Sequence, residues 1–267
     1  MNENEIHVSK AFGKQSIVFD ELDKTNPLSE YFRSIYRQEV NSNIKPYSNI
    51  LELNCGTGID AIYFANKGHH ILATDISSLM VDKLNIKIQN QHLGKSLETM
   101  TCSYHELGKL NKKKFDYILS NFGGLNCTDQ LNTVLSQFTS LLNDDGKITL
   151  AIMPKVCPWE LIMVFKAKFK TAFRRWSKRT TAHIEGEYFY CYYYNPSYVI
   201  NCLRKDFKLI SLKGVFITVP PEFYHGFVER YPKIFSFLSW IDSKISKIFP
   251  FNYCCDHYII TLQKKVQ

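Results

Sequence analysis

The chain has 267 residues, 45% of them hydrophobic and 22% charged, with a formal net charge of +8. That usage lets one α/β core with an elaboration bury itself fully, and the diffuse positive charge suits an ordinary enzyme, an anionic substrate, a membrane or a nucleic acid. Three things argue for a soluble cytoplasmic protein: no apolar run reaches the ~18 residues of a membrane span, the start MNENEIHVSK lacks a signal-peptide core, and the 8 cysteines form no C-x-x-C pair.

In chain order, residues 1–30 are polar with isolated apolar positions, and Pro27 marks a break. Leu28, Tyr31, Phe32, Ile35 and Tyr36 then predict a helix over Leu28–Val40. A strand at Asn49–Asn54 runs into a tight turn, a helix follows over Ile59–Asn66, and Gly68 stops it. His70–Thr74 is the next strand with Asp75 at its end, and Ser77–Asn90 is a helix capped by Ser77. Leu97–Tyr104 and Phe115–Ser120 read as strands, Leu131–Leu142 as a helix, Asp144–Gly146 as a turn and Lys147–Met153 as a strand. This alternation demands a parallel sheet with helices on both faces.

After Pro154 the rhythm changes. Trp159–Trp176 reads as one long helix with Ile162, Phe165, Phe169, Phe173 and Trp176 on a face. A short helix follows Asn195-Pro196, and Phe207–Val219 is strand-like with a break or bulge at Gly214. Phe235–Phe249 is helical, and His257–Leu262 is a last strand in which His257 reads as structural.

The segment Glu52-Leu-Asn-Cys-Gly-Thr-Gly58 joins a strand to a helix. Gly56 and Gly58 leave its backbone open to a ligand, and the helix N-terminus favours an anionic group there. Roughly 20 residues on, Asp75 stands where a carboxylate can accept from both hydroxyls of a ribose. The glycines alone would also serve a nicotinamide dinucleotide, although the spacing is not G-x-G-x-x-G, and Asp75 can equally cap the next helix.

Leu51-Glu-Leu-Asn-Cys-Gly-Thr-Gly58, Ala73-Thr-Asp-Ile-Ser77, Phe115-Asp-Tyr-Ile-Leu-Ser-Asn-Phe-Gly123 and Leu141-Leu-Asn-Asp-Asp-Gly-Lys-Ile-Thr-Leu150 arrive in order. Together they resemble the successive motifs of class I S-adenosylmethionine-dependent methyltransferases, and are similar to the ubiquinone- and menaquinone-biosynthesis branch. The resemblance spans about residues 48–153. It implies an α/β fold with a doubly wound, mostly parallel seven-stranded sheet, order 3-2-1-4-5-7-6, last strand antiparallel. Helical and aromatic elaborations would lie over the C-terminal ends of the strands.

It also implies S-adenosyl-L-methionine as cofactor and S-adenosyl-L-homocysteine as product. By position, Glu52 would hold the loop and the methionine amino group, while Asn54, Cys55, Gly56 and Gly58 would line the methionyl and ribose region. Asp75 would bind the ribose and Ile76 would pack on adenine. Ser103, followed by Tyr104, stands where relatives often carry an aspartate near the adenine amino group. Asn121 and Phe122 would sit under the reacting methyl group. Asn54 replaces a customary glycine, and Asn is the residue that best tolerates a left-handed backbone after glycine.

Methyl transfer from a sulfonium needs orientation, exclusion of water, and a base only where the acceptor must lose a proton. Asn121-Phe-Gly-Gly124 is not the Asn/Asp-Pro-Pro-aromatic signature of base methylation, so no DNA substrate is expected. Aromatic residues crowd 155–195 and 220–255, which favours a small hydrophobic or aromatic acceptor methylated on O, N or C. The expected division is a helical lid at 1–47, a cofactor-binding core at 48–154, and the remaining core at 155–267. That last part carries the final two strands and substrate-cap insertions at about 155–195 and 220–255.

The candidate general bases are His225, Glu222 and His183. No residues show metal-ligand spacing, so no metal is expected. Lys166–Arg179 carries seven cations and no acid. It reads either as a solvated face or as a contact for an anionic membrane or a carrier protein. The alternatives are a methyltransferase for lipid-like, carrier-bound, protein or RNA substrates, and a silent cofactor-binding module.

Overall fold

A computed structural model describes residues 1–110 and 113–266. Three helices lead in, α1 (Glu3–Gln15), α2 (Phe19–Lys24) and α3 (Pro27–Asn41). There follow β1 (Asn49–Leu53), α4 (Ile59–Ala65), β2 (His70–Asp75), α5 (Ser78–Asn90), β3 (Leu97–Thr101) and β4 (Phe115–Ser120). Helices α6 (Leu131–Ser136) and α7 (Phe138–Leu141) precede β5 (Leu142–Ile152). Beyond it come α8 (Pro158–Leu161), α9 (Phe169–Ala172), a hairpin of β6 (Thr180–Ile184) and β7 (Glu187–Cys191), and α10 (Pro196–Leu203). The chain closes through β8 (Phe207–Val215), α11 (Phe227–Arg230), α12 (Pro232–Ile245) and β9 (His257–Lys264).

Seven strands form one sheet in the order β3-β2-β1-β4-β5-β9-β8, the expected order once the hairpin is set aside. The first five are parallel, and β9 runs antiparallel to both neighbours. Side chains alternate across β1, so Leu51 and Leu53 enter one core with Leu135 and Ile148, while Ile50 enters the other with Phe32, Phe64 and Leu84. A sheet buried on both faces needs helices on both, which is why the strands read as continuous apolar runs. The carboxyl ends of β1, β2 and β4 converge at the crossover point, where such sheets leave a crevice.

Several expectations need correcting. The strand from Leu97 stops at Thr101, and Tyr104 already lies in a 3-10 turn. The helix from Leu131 breaks at Gln137, and β5 begins at Leu142, pairing irregularly with β4 before Lys147. Gly214 is not a bulge, since it pairs with Tyr258 while the register shifts between Leu209 and Ser211. A Cβ at Gly214 would lie 2.7 Å from the Phe251 carbonyl oxygen, so glycine there serves a close approach. The last helix runs Pro232–Ile245.

The largest correction is at Trp159–Trp176, which is not one helix. It divides into α8, a 3-10 turn at Ile162–Lys166, α9 and a second turn at Arg174–Trp176, with Ala167 in the left-handed region. A continuous helix would separate residues 160 and 175 by about 22 Å. Arg175 instead donates to Glu160 at 2.8 Å, which requires the chain to fold back.

Candidate active site at the carboxyl ends of the strands

The loop after β1 is held in a left-handed course, with φ of 46° at Asn54, 55° at Gly56 and 80° at Gly58. Asn54 therefore adopts the backbone expected of a glycine substitute. Its side chain also takes a structural role: Nδ2 donates to the Asn121 carbonyl at 2.9 Å, and Oδ1 accepts from Ser120 Oγ at 2.6 Å. The amide occupies the space above Gly124, where an added Cβ would lie 2.3 Å from Asn54 Cγ. A Cβ at Gly58 would meet Leu84 at 2.2 Å, so that position admits only glycine.

Asp75 Oδ2 accepts from the Gly56 N–H and Oδ1 from the Ser77 N–H, both at 2.9 Å. The carboxylate thus faces the glycine loop and fixes its shape. Burial pushes its pKa up, against the pull of those amides. The cap of α5 is Ser77, whose hydroxyl accepts from Met80 N–H, so the capping alternative for Asp75 does not hold.

Glu52 lies buried beneath the loop, and its Oε2 has no hydrogen-bond partner among the described residues. Burial, with Asp60 next, raises its pKa well above the usual range although Arg33 and Arg37 oppose this. Asp60 accepts from Arg33 at 2.5 Å, Arg37 at 2.8 Å and Asn121 Nδ2 at 2.9 Å, tying α3 to the carboxyl ends of β1 and β4. Cys55 is buried, and burial raises its thiol well above the ordinary value, so it acts here as a small apolar group.

The opposite side of the crevice is covered by α1, where a capping box joins Asn2 and Glu5. Glu5 Oε1 accepts from Ser103 Oγ, and Ser9 Oγ donates to the Ile76 carbonyl at 3.2 Å. A carboxylate absent at position 103 therefore arrives from the N-terminal helix. Buried Tyr104 points its hydroxyl toward the Gly124 carbonyl at 3.5 Å. In the chain, only the Asn-x-x-Glu spacing at its start hinted at this arrangement.

Beyond Phe122 opens a cavity of about 540 Å3 lined by Phe19, Phe122, Met153, Glu222, His225 and His257, among others. Phe122 has φ of 50°, its ring packs 4.7 Å from Phe32, and the Arg33 guanidinium lies 4.4 Å from its centre. Glu222 Oε1 is buried without a partner among the described residues, and burial raises this carboxyl to about 7. His225 lines the same cavity and is exposed, whereas His183 sits on the hairpin against Tyr188, outside the cavity lining.

His257 is buried and lines the same cavity. Its Nδ1 lies 2.7 Å from Asp256 Oδ2, and its Nε2 lies 3.2 Å from the point a Cβ on Gly123 would take. Burial works against ionisation of Asp256, but Arg175 and His257 outweigh it and hold the carboxyl below the usual range. The Asp256-His257 pair opening a strand was the one available signal. Arg175 is only 3% exposed and bridges Asp256 and Glu160, and Arg174 also donates to Glu160. Two of the seven cations of Lys166–Arg179 are thus committed to buried acids rather than to a uniform solvated face. The fold also brings Cys157, Glu160 and Asp256 together, a set of metal-ligand type in which both carboxylates are already spent on arginines.

Residues 50–146 match the family model of the methyltransferase domain. An uncharacterized protein of Methanocaldococcus jannaschii is 23% identical over 243 residues, covering 87% of this chain and 90% of its own. Among solved structures, the CcbJ methyltransferase of Streptomyces caelestis superposes with a TM-score of 0.63 at 14% identity, over 96% of this chain and 98% of its own. The 1,6-didemethyltoxoflavin-N1-methyltransferase of Burkholderia thailandensis, holding that compound and S-adenosylhomocysteine, gives 0.58 at 15% identity over 98% and 88%. The two solved structures share the fold of this chain, and none of these comparisons points to the quinone-biosynthesis branch. No helix among the described residues is long and apolar enough to cross a membrane. The match to a methyltransferase domain over residues 50–146 thus falls on β1 to β5 of a seven-stranded sheet with the order expected of the class I methyltransferase fold.

Proposed function

We propose that the enzyme methylates a small, partly hydrophobic acceptor held in the cavity beside Phe122, with Glu222 receiving the acceptor's proton. The observation that carries this reading is a Glu222 carboxyl whose Oε1 has no partner among the described residues and whose pKa burial raises to about 7, at the wall of a 540 Å3 space. A group that titrates near neutrality is suited to taking a proton at physiological pH.

On the cofactor side the residues present fit S-adenosylmethionine. Gly56 and Gly58 hold the loop in a left-handed course, Asp75 faces that loop, and the free Glu52 oxygen suits an ammonium group. When bound, the cofactor supplies a methyl group on a sulfonium, already activated for displacement. Phe19, Phe122 and Met153 would orient the acceptor and keep water away, and Glu222 would hold the proton at a carboxylate oxygen. Asp256 lies against His257 Nδ1 and orients the ring, with Nε2 turned toward Gly123. The heteroatom-directed chemistry in the Burkholderia neighbour's name agrees with such an acceptor, on the strength of a shared fold alone.

Labelling tests the reading. With methyl-tritiated cofactor and a size-fractionated cell extract, label should enter the low-molecular-weight fraction, and Glu222→Gln should abolish it while S-adenosylhomocysteine still binds. Label found chiefly in protein or RNA would overturn the assignment.

A further inference from the structure

Helix α12 turns Phe235 and Leu238 toward the core, as an ordinary amphipathic helix would. Its outer side is apolar as well. Phe237 is 60% exposed and Trp240 57%, their rings stacked with centres 6.2 Å apart, and Ile234 lies one turn before. The chain continues past the helix into Ile248 and Phe249, the latter 73% exposed. Water-facing apolar area of this extent on a monomer marks a surface with a partner.

The charges say which partner. The helix has one acid, Asp242, and it is turned inward: buried, it accepts from the N–H groups of Ile217, Thr218 and Val219. What remains outward among the aromatics is cationic, at Lys233, Lys244 and Lys247, all exposed. Protein interfaces deplete lysine, and a second copy docked on this face would bring lysines against lysines. Aromatic and aliphatic side chains rimmed by lysines are the composition of helices lying in an anionic lipid surface. Fourteen residues make about 21 Å of helix, enough to lie in the headgroup plane and too short to cross it.

We infer that α12 and the segment through Phe249 dock the enzyme on an anionic membrane surface. The loop that carries Glu222 leads directly into α11 and α12, so docking places the acceptor cavity and the lipid contact on one continuous segment. This surface differs from the Lys166–Arg179 stretch, part of whose charge is buried.

Flotation of the full chain with vesicles of phosphatidylcholine, with and without phosphatidylglycerol, tests the inference. The chain should float with the anionic vesicles, less so as salt is raised. Phe237→Glu with Trp240→Glu should lower the bound fraction by about 10-fold or more, and Lys233, Lys244 and Lys247 changed to Gln should erase the preference for phosphatidylglycerol. Affinity for S-adenosylhomocysteine should not change in either variant, which separates lost docking from lost folding or lost cofactor binding. Wild-type chain that floats with neither vesicle, or a double variant at Phe237 and Trp240 that floats unchanged, would overturn it. So would a dimer in sedimentation that the double substitution dissolves in the absence of any vesicle binding.

Discussion

Replacing Glu222 by Gln should stabilise the protein above neutral pH and leave it nearly unchanged in acid. The carboxyl holds its proton to about 7 in the folded chain, against an ordinary value of 4.5, chiefly because it is buried. Between those two values the folded state carries the extra proton, so stability falls as pH rises through the window. Below it both states are protonated and nothing is lost. Above it the ionised carboxylate is held without enough compensation, at a cost of about 3 kcal/mol. Glutamine has nearly the same volume and no charge, so it removes that cost. Urea unfolding of the two proteins at about pH 4.5 and about pH 8 gives the comparison, and subtraction cancels every other titrating group. The expected gain is near zero at the lower pH and up to about 3 kcal/mol at the higher. A gain equal at both pH values, or a loss at the higher, would refute a burial-raised carboxyl and with it the case for Glu222 as the proton acceptor. Activity should move the opposite way, since a group that destabilises the fold to keep a useful pKa is a functional group.

Three further outcomes follow from the packing. Gly124→Ala should cost about 1–3 kcal/mol, because its Cβ collides with the Asn54 side chain, and Asn54→Gly should restore much of that in the double variant; additive losses in a double-mutant cycle would contradict the contact. Asp242→Ala should destabilise by about 3 kcal/mol in thermal or urea unfolding, since it strands the amides of Ile217, Thr218 and Val219, whereas an effect near zero would mean water replaces the carboxylate. Arg175→Ala should cost about 3–5 kcal/mol by leaving Asp256 and Glu160 buried without a counter-charge, and adding Asp256→Asn should reduce the loss.

The legible parts of this chain were those whose chemistry is local. Gly56, Gly58 and Asp75 lie within one strand–helix–strand unit, and each is demanded by its own backbone or its neighbour's. Strand and helix period carried the five parallel strands for the same reason. What escaped was made by residues far apart. Reading apolar spacing treats a charge as a solvent-facing position, so Trp159–Trp176 looked like one helix with a basic outer side. In the fold Arg175 turns inward to Asp256, 81 positions away, and the helix gives way to that pairing. His257 was read as structural because it opens the last strand, and nothing in the spacing revealed that it and Asp256 both face the cavity.

Asn54 shows how the two kinds of information meet. Taken alone, an asparagine at a position where relatives keep glycine weakens the loop, because a side chain intrudes where the backbone should be bare. The fold turns that side chain onto β4's end, where it bonds Ser120 and Asn121. The bareness then moves to Gly124, which must lack a side chain because Asn54 fills the space. The loop after β1 and the loop after β4 are thereby fastened together, and they are the two segments that would flank a reacting methyl group. A substitution that looks like damage to the glycine loop is instead a strut between the loop after β1 and the end of β4.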